Sequence, residues 1–338
     1  MRTKPLLFFA FCALAFQPTA GAEFLGYPGL IAGANAAAGS LYDDPFRAGV
    51  APFTIAVNPA LTAGNQRLAF DAGYAGIFGG DGSGVSIHYA HLGALFPTRR
   101  GVFSGTFQFG IPLGANGVSA GAASNGGKLA LASAGFGRDI TKNLYVGAAL
   151  SGGALFSDDA DSDWALYGKL GFAYHLPDLG PLLDPACAAV FSYIGKTFDA
   201  ADSASYPPPF TGQVGFSAVV LSLQSIRAGF SVDISFPSMQ NLALDAGLQV
   251  EIAGAFVIST GYRVNFRAAA DGQKPDLPFA GISYMFSGGA KGGAIGTKSD
   301  VRPSGVWKMR GDNAHLVSAG LAVNIGSPAV PPQIILED

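Results

Sequence analysis

The chain has 338 residues, 49% hydrophobic and only 13% charged, with 20 Lys+Arg against 23 Asp+Glu and a formal net charge of −3. That balance argues against nucleic acid as a partner, since phosphate binding wants a concentrated basic surface, and the charge content is well below the roughly 25% of a soluble domain. Beyond the N-terminus no stretch reaches the 18 or more apolar residues of a helical span, so lipid is met by a closed barrel, the other fold that satisfies its own backbone there.

In chain order, residues 1–22 read as an export signal. Arg2 and Lys4 precede an apolar run from Leu6 to Phe16, and Ala20-Gly21-Ala22 supplies an A-x-A cleavage site, so the mature chain is expected to begin at Glu23. Cys12 leaves with the signal. Cys187 then stands alone and no intrachain disulfide is possible. Residues 23–65 are rich in Gly, Ala and Pro, alternate little, and run through Tyr42-Asp43-Asp44-Pro45 to Asn58-Pro59-Ala60-Leu61.

From residue 66 the hydrophobicity alternates with period two, as lipid-facing and lumen-facing side chains of a membrane strand must. Ile226, Ala228, Phe230, Val232, Ile234 and Phe236 lie on one face, with Arg227, Gly229, Ser231, Asp233 and Ser235 on the other. The same reading gives strands at 66–78, 84–95, 101–111, 127–138, 143–156, 163–176, 186–196, 211–221, 225–236, 241–252, 255–267, 278–287, 302–310 and 314–325. The count is about fourteen, with twelve as the alternative because 127–138, 186–196 and 302–310 are weakly patterned. If the first strand runs outward, the inner connections such as 96–100 and 253–254 are short and the outer ones such as 112–126 and 197–210 are long, the asymmetry of such barrels. The stretch 288–301 breaks that rule, and 326–338 is a Pro-rich tail. The expected fold is therefore all-β: a transmembrane antiparallel barrel over 66–325.

Motifs for catalysis or metal binding fail on geometry. His88 and His91 are three apart on a strand and point to opposite faces, so they cannot share a metal. Asp159, Asp161 and Asp163 have the opening spacing of a calcium loop, but Trp164 stands where its turn glycine belongs and Leu170 where its bidentate Glu belongs. Gly292 to Ser299 ends Gly-Thr-Lys-Ser, not Gly-Lys-Ser/Thr, and no helix follows. No HExxH or paired-cysteine pattern occurs, so no enzyme, cofactor or metal site is predicted. On the polar phase of the strands fall Arg67, Asp71, His88, Lys169, Arg227, Asp233, Asp245, Glu251, Arg263 and Arg267, the expected lumen lining. Charges of both signs there are tolerable only if paired or wet. They read as a salt-bridge network stiffening the wall or as the lining of a polar path.

The signal, the Gly/Ala-rich segment with Asp43-Asp44, the motif Asn58-Pro59-Ala60-Leu61-Thr62-Ala63 and the long strand series together resemble the FadL-type family of outer-membrane hydrophobic-compound channels, in particular its divergent, spirochaete-like members. In that family an Asn-Pro-Ala-Gly-Leu-Ala-like motif lies in an N-terminal plug filling a fourteen-stranded barrel. This chain lacks the Gly. The resemblance implies that 23–65 is a plug, with Asn58, Pro59, Ala60 and Leu61 at its heart, and a barrel this wide does need its lumen occupied or open. It implies passive uptake of hydrophobic small molecules such as long-chain fatty acids across the outer membrane of a diderm bacterium, with outer-membrane lipid and the barrel-assembly machinery as further partners. PorV-type barrels share a related N-terminal motif, so a protein-docking barrel without transport is one alternative, and a general diffusion porin is another.

Overall fold

The computed structural model describes residues 50–79, 86–113, 128–156, 162–196, 210–237, 239, 241–270, 277–288, 299–309 and 314–326. The expected signal segment 1–22, the stretch 23–49 of the expected plug, and 327–338 of the expected tail lie outside them, as do the loop residues Asp159 and Asp161 and the stretch 292–298.

Fourteen antiparallel strands follow in chain order among the described residues: β1 Leu68–Gly79, β2 Ser86–Thr98, β3 Gly101–Leu113, β4 Lys128–Asp139, β5 Leu144–Phe156, β6 Asp163–His175, β7 Leu183–Lys196, β8 Thr211–Ser222, β9 Ile226–Pro237, β10 Ala243–Ile252, β11 Phe256–Asn265, β12 Phe279–Tyr284 continuing as Phe286–Gly288, β13 Ser299–Met309 and β14 Ala314–Ile325. The two parts of β12 form one strand because both pair with β13 in a single register, Ser283↔Ser304 and Phe286↔Val301. The interruption at Met285 faces Arg302 and Pro303, and a proline has no N–H to give the ladder. Each strand pairs with its sequence neighbours, and β14 returns to β1 from Leu68↔Ile325 to Gly79↔Ala314, closing the barrel.

Alternation decides which side chains meet lipid. Along β6, Ala165, Tyr167, Lys169, Gly171, Ala173 and His175 are buried, while Trp164, Leu166, Leu170, Phe172 and Tyr174 are exposed. Leu92 is 63%, Trp164 56% and Leu150 55% exposed, and such side chains recur around the whole outer wall. A continuous apolar surface of that extent is stable in hydrocarbon and not in water. The connections at 99–100, 140–143, 176–182, 223–225 and 253–255 share the end where the chain enters β1, while 114–127 and 197–210 join strands at the other end. The short-turn end is thus the periplasmic one by the rule for such barrels.

Several boundaries differ from the sequence expectation: β2 runs on to Thr98, past the expected 95, and β7 begins at Leu183, ahead of the expected 186. The eleventh strand stops at Asn265, and Phe266–Ala270 turns into a short helix (α2), where Phe266 backbone N–H donates to Leu242 O at 2.9 Å. The thirteenth begins at Ser299, three residues earlier than its own pattern shows, because Asp300 and Val301 continue the pairing with β14.

Before β1, residues 50–67 lie inside the wall. A helical turn, α1 (Thr54–Val57), leads through Asn58 into a 3-10 helix over Pro59–Gly64. Pro59 presets the first helical φ, and the extended Asn58 caps the turn by accepting from Ala60 N at 3.0 Å. Its amide also donates to Phe172 O of β6 at 3.4 Å, and Asn58 is 0% exposed. Asn58→Ala removes the cap and leaves that corner unpaired. It should cost about 1–2 kcal/mol, read as a lower temperature for the boiling-dependent shift in gel mobility.

Candidate lumen site

Segment 50–64 is held against the inner wall by polar anchors from several strands. Phe53 N donates to the buried Asp71 carboxylate of β1 at 2.8 Å, and the ring of His91 of β2 lies tilted against that of Phe53 with centroids 4.7 Å apart. Ser104 of β3 donates to Pro52 O at 2.9 Å. The Lys169 ammonium of β6 donates to Ala56 O. At the mouth, Asn65 donates to Asn324 Oδ1 of β14 at 2.9 Å and Asn324 donates to Asp300 of β13 at 2.7 Å, while Arg67 pairs with Asp300.

The Asn-Pro-Ala segment also needs room. Gly147 of β5 and Gly171 of β6 are direct cross-strand partners on the inner face. A Cβ on Gly171 would lie 2.9 Å from Pro59 Cδ, besides striking Asn58 Oδ1, and one on Gly147 would lie 2.5 Å from Ala60 N. The glycine pair forms a notch that fits this backbone. Beside it Ala60 and Leu61 pack on Ala173, Ala186, Ala188 and Val190 of β6 and β7.

Toward the long-loop end from this shelf, the inner wall is apolar. Ile77 of β1, Tyr89 of β2, Leu129 and Leu131 of β4, Tyr167 of β6, Tyr193 of β7 and Leu316 of β14 form one buried cluster with Phe53 and Ala56. Tyr193 reaches it through a bulge. Leu170 pairs with Phe191 but Gly168 with Ile194, so β7 carries an extra residue there and both Ser192 and Tyr193 turn inward. Tyr193 takes φ 61°, a left-handed value that costs a non-glycine residue, and its ring comes to rest 5.0 Å from that of Tyr167.

The opposite wall is polar. Arg227 of β9 lies 4.0 Å from Glu251 of β10, and Arg263 of β11 lies 3.8 Å from Asp245 of β10. Asp233 of β9 is buried directly across from Asp245, among Ser231, Ser235, Gln249 and Ser259. Among the described residues no group of three or more His, Cys, Asp or Glu could hold a metal ion.

Of the residues expected in the lumen, Asp71 and Lys169 meet the inner segment, Arg67 sits at its mouth, and Arg227, Asp233, Asp245, Glu251 and Arg263 line the polar wall. Two expectations are corrected. His88 faces outward, with its ring 5.5 Å from Phe78 and a hydrogen bond to the Tyr74 hydroxyl; the inward histidine of β2 is His91. The cause is that β2 puts its odd positions, Tyr89, His91 and Leu95, inside. Arg267 is exposed in α2, beyond the end of β11. The apolar cluster itself was missed, because its members sit on the phase that alternation assigns to polar side chains. The available signal was apolar residues on both phases, as in Ile77-Phe78 and Leu316-Val317.

No protein-family model matches the sequence, and no curated protein matches it. Solved structures do. The deltaS2 mutant of the monoaromatic hydrocarbon channel TodX aligns over 90% of this chain and 100% of its own, with a TM-score of 0.55 at 11% identity. The Pseudomonas putida toluene transporter TodX aligns over 91% of this chain and 99% of its own, with a TM-score of 0.53 at 11% identity. The resemblance to the FadL type therefore stands at the level of fold: this chain is a fourteen-stranded antiparallel transmembrane barrel, with the architecture of these hydrocarbon channels.

Proposed function

We propose that the protein is an outer-membrane channel for passive uptake of hydrophobic small molecules, exported by its 1–22 segment, with 23–65 acting as the plug. The observation that carries this reading is the apolar cluster inside the barrel, seated on segment 50–57 and facing the long-loop end. Leu129, Leu131 and Leu316 turned inward make this side of the lumen apolar beyond Phe53 and Ala56, and an apolar ligand is bound by such a lining with a few polar groups at its edge. Tyr89, Tyr167 and Tyr193 supply aromatic faces with a polar tip. The hydrocarbon channels that share the fold support an apolar cargo, and a long-chain fatty acid is the larger candidate beside a monoaromatic one.

Uptake of toluene and of oleate into proteoliposomes tests this. Leu131→Asp sets a carboxylate in the apolar wall at a cost of several kcal/mol to any apolar guest, so uptake should fall by about tenfold or more while the barrel still shows its boiling-dependent shift. Equal uptake by wild type and Leu131→Asp would refute the reading. High conductance of small ions through the wild type would instead favour the diffusion porin, using the polar wall of β9–β11.

A further inference from the structure

The outer wall carries a second apolar feature, on the lipid side of the shelf. At the short-turn end, β2–β5 form a groove of about 660 Å³ lined chiefly by Phe96, Phe103, Gly105, Ala134, Phe136 and Leu150. Its lower lip is a cross-strand aromatic row, Phe96↔Phe103↔Phe136, in which Phe103 and Phe136 have ring centroids 4.8 Å apart. One step deeper into the membrane the row becomes Gly105↔Ala134↔Leu150, and the small pair leaves a trough.

Beyond the lip the strands end in cations. Arg99 and Arg100 form the exposed β2–β3 turn, Arg138 follows Phe136 on the same phase of β4, and Lys142 is exposed in the β4–β5 turn. Asp139, at the end of β4, is the sole carboxylate in 96–103 and 136–145. The other short turns differ: 223–225 and 253–255 hold no charged residue, and 176–182 holds only Asp178. Among the short turns, positive charge is thus concentrated on the two that bound the groove.

We propose that this face holds an anionic phospholipid of the inner leaflet, with an acyl chain in the groove and its phosphate on Arg99, Arg100 and Lys142. Guanidinium groups pair with phosphate oxygens through fixed, forked donors. A zwitterionic headgroup would bring its own ammonium against the same cations, so the surface discriminates by net charge. The inference needs the barrel in its membrane with the short turns inward, and it is independent of what the lumen carries.

The test is native mass spectrometry of the protein released from nanodiscs made with equal phosphatidylglycerol and phosphatidylethanolamine. Wild type should retain phosphatidylglycerol over phosphatidylethanolamine by about tenfold, since juxtamembrane basic residues each favour anionic lipid several-fold. The triple variant Arg99→Gln, Arg100→Gln, Lys142→Gln should bring that ratio to about one while total retained lipid stays near wild type. Ala134→Phe, which fills the trough from the lipid side, should lower retention of both lipids and leave the ratio as it was. Boiling-dependent gel mobility verifies folding of each variant. Equal retention of the two lipids by wild type, an unchanged preference in the triple variant, or full retention by Ala134→Phe would each overturn the proposal.

Discussion

Replacing Gly147 and Gly171 together by valine is expected to unseat Asn58-Pro59-Ala60 from the inner wall. The new Cβ atoms would fall on backbone and side-chain atoms of that segment, 2.5 Å from Ala60 N in one case and 2.9 Å from Pro59 Cδ in the other. Neither strand can retreat, because β5 and β6 are each paired along their length on both sides. Overpacking of this kind costs about 1–3 kcal/mol at each site, and it falls on the Asn58–Ala60 stretch itself, where the cap contributes about 1–2 kcal/mol. The barrel strands themselves should tolerate valine, a good strand former. Two readouts follow: protease cleavage within 50–64, blocked in the wild type, and single-channel conductance, rising as the shelf leaves the lumen. Gly152→Val is the matched control, since a Cβ there has its nearest neighbour at 3.6 Å, the Leu166 side chain. Unchanged cleavage and conductance in the double variant would show that the segment does not depend on the notch.

The second large effect is on the lipid face. Leu248 sits mid-strand in β10, 51% exposed, between Phe230 of β9 and Thr260 of β11. An arginine there should destabilise the barrel by about 2–4 kcal/mol, as cations do at the midplane of such walls. Ser225→Arg, in an exposed short turn, should cost about 0–1 kcal/mol. Unfolding in urea from lipid vesicles, followed by gel mobility, gives the two numbers. A Leu248→Arg protein as stable as wild type would mean that this face does not meet hydrocarbon.

These outcomes bear on what could be read from residue order alone. The strands of β9, β10 and β11 were legible because Ile226 to Phe236 and its neighbours keep apolar and polar residues on separate phases. Alternation gives a phase but not a side, and the side is settled by which face is less costly to bury. In β2 both phases are apolar enough for either assignment, and the inward one took Tyr89, His91 and Leu95, leaving His88 beside Tyr74. The polar wall was legible as a set of residues, but its ion pairs were not. Asp245 meets Arg263 because the tight turn at 253–255 fixes their register. Tyr193 was beyond reach for a different reason: one extra residue in β7 inverts the phase after it, and nothing in the spacing of Phe191 to Lys196 announces that. The Asn-Pro-Ala stretch marked a segment unlike a strand, while its seat in a Gly147–Gly171 notch is a tertiary fact set by two paired strands far along the chain from it.

The contact between Asn65 and Asn324 joins positions 259 apart in the chain. Its partners Asp300 and Asn324 belong to the final hairpin, whereas the wall that receives Pro52, Ala56 and Asn58 is made by β1, β3 and β6. The shelf can therefore be seated while the barrel is still an open curved sheet, and the last two strands arrive as the edge that seals it. Sealing and seating share the same side chains: Arg67 and Asn65 present the donors that Asp300 and Asn324 require. A chain that rolled shut with its N-terminal segment stranded outside would leave those acceptors without their donors at the seam, so the join between the first and last strands is complete only with that segment inside.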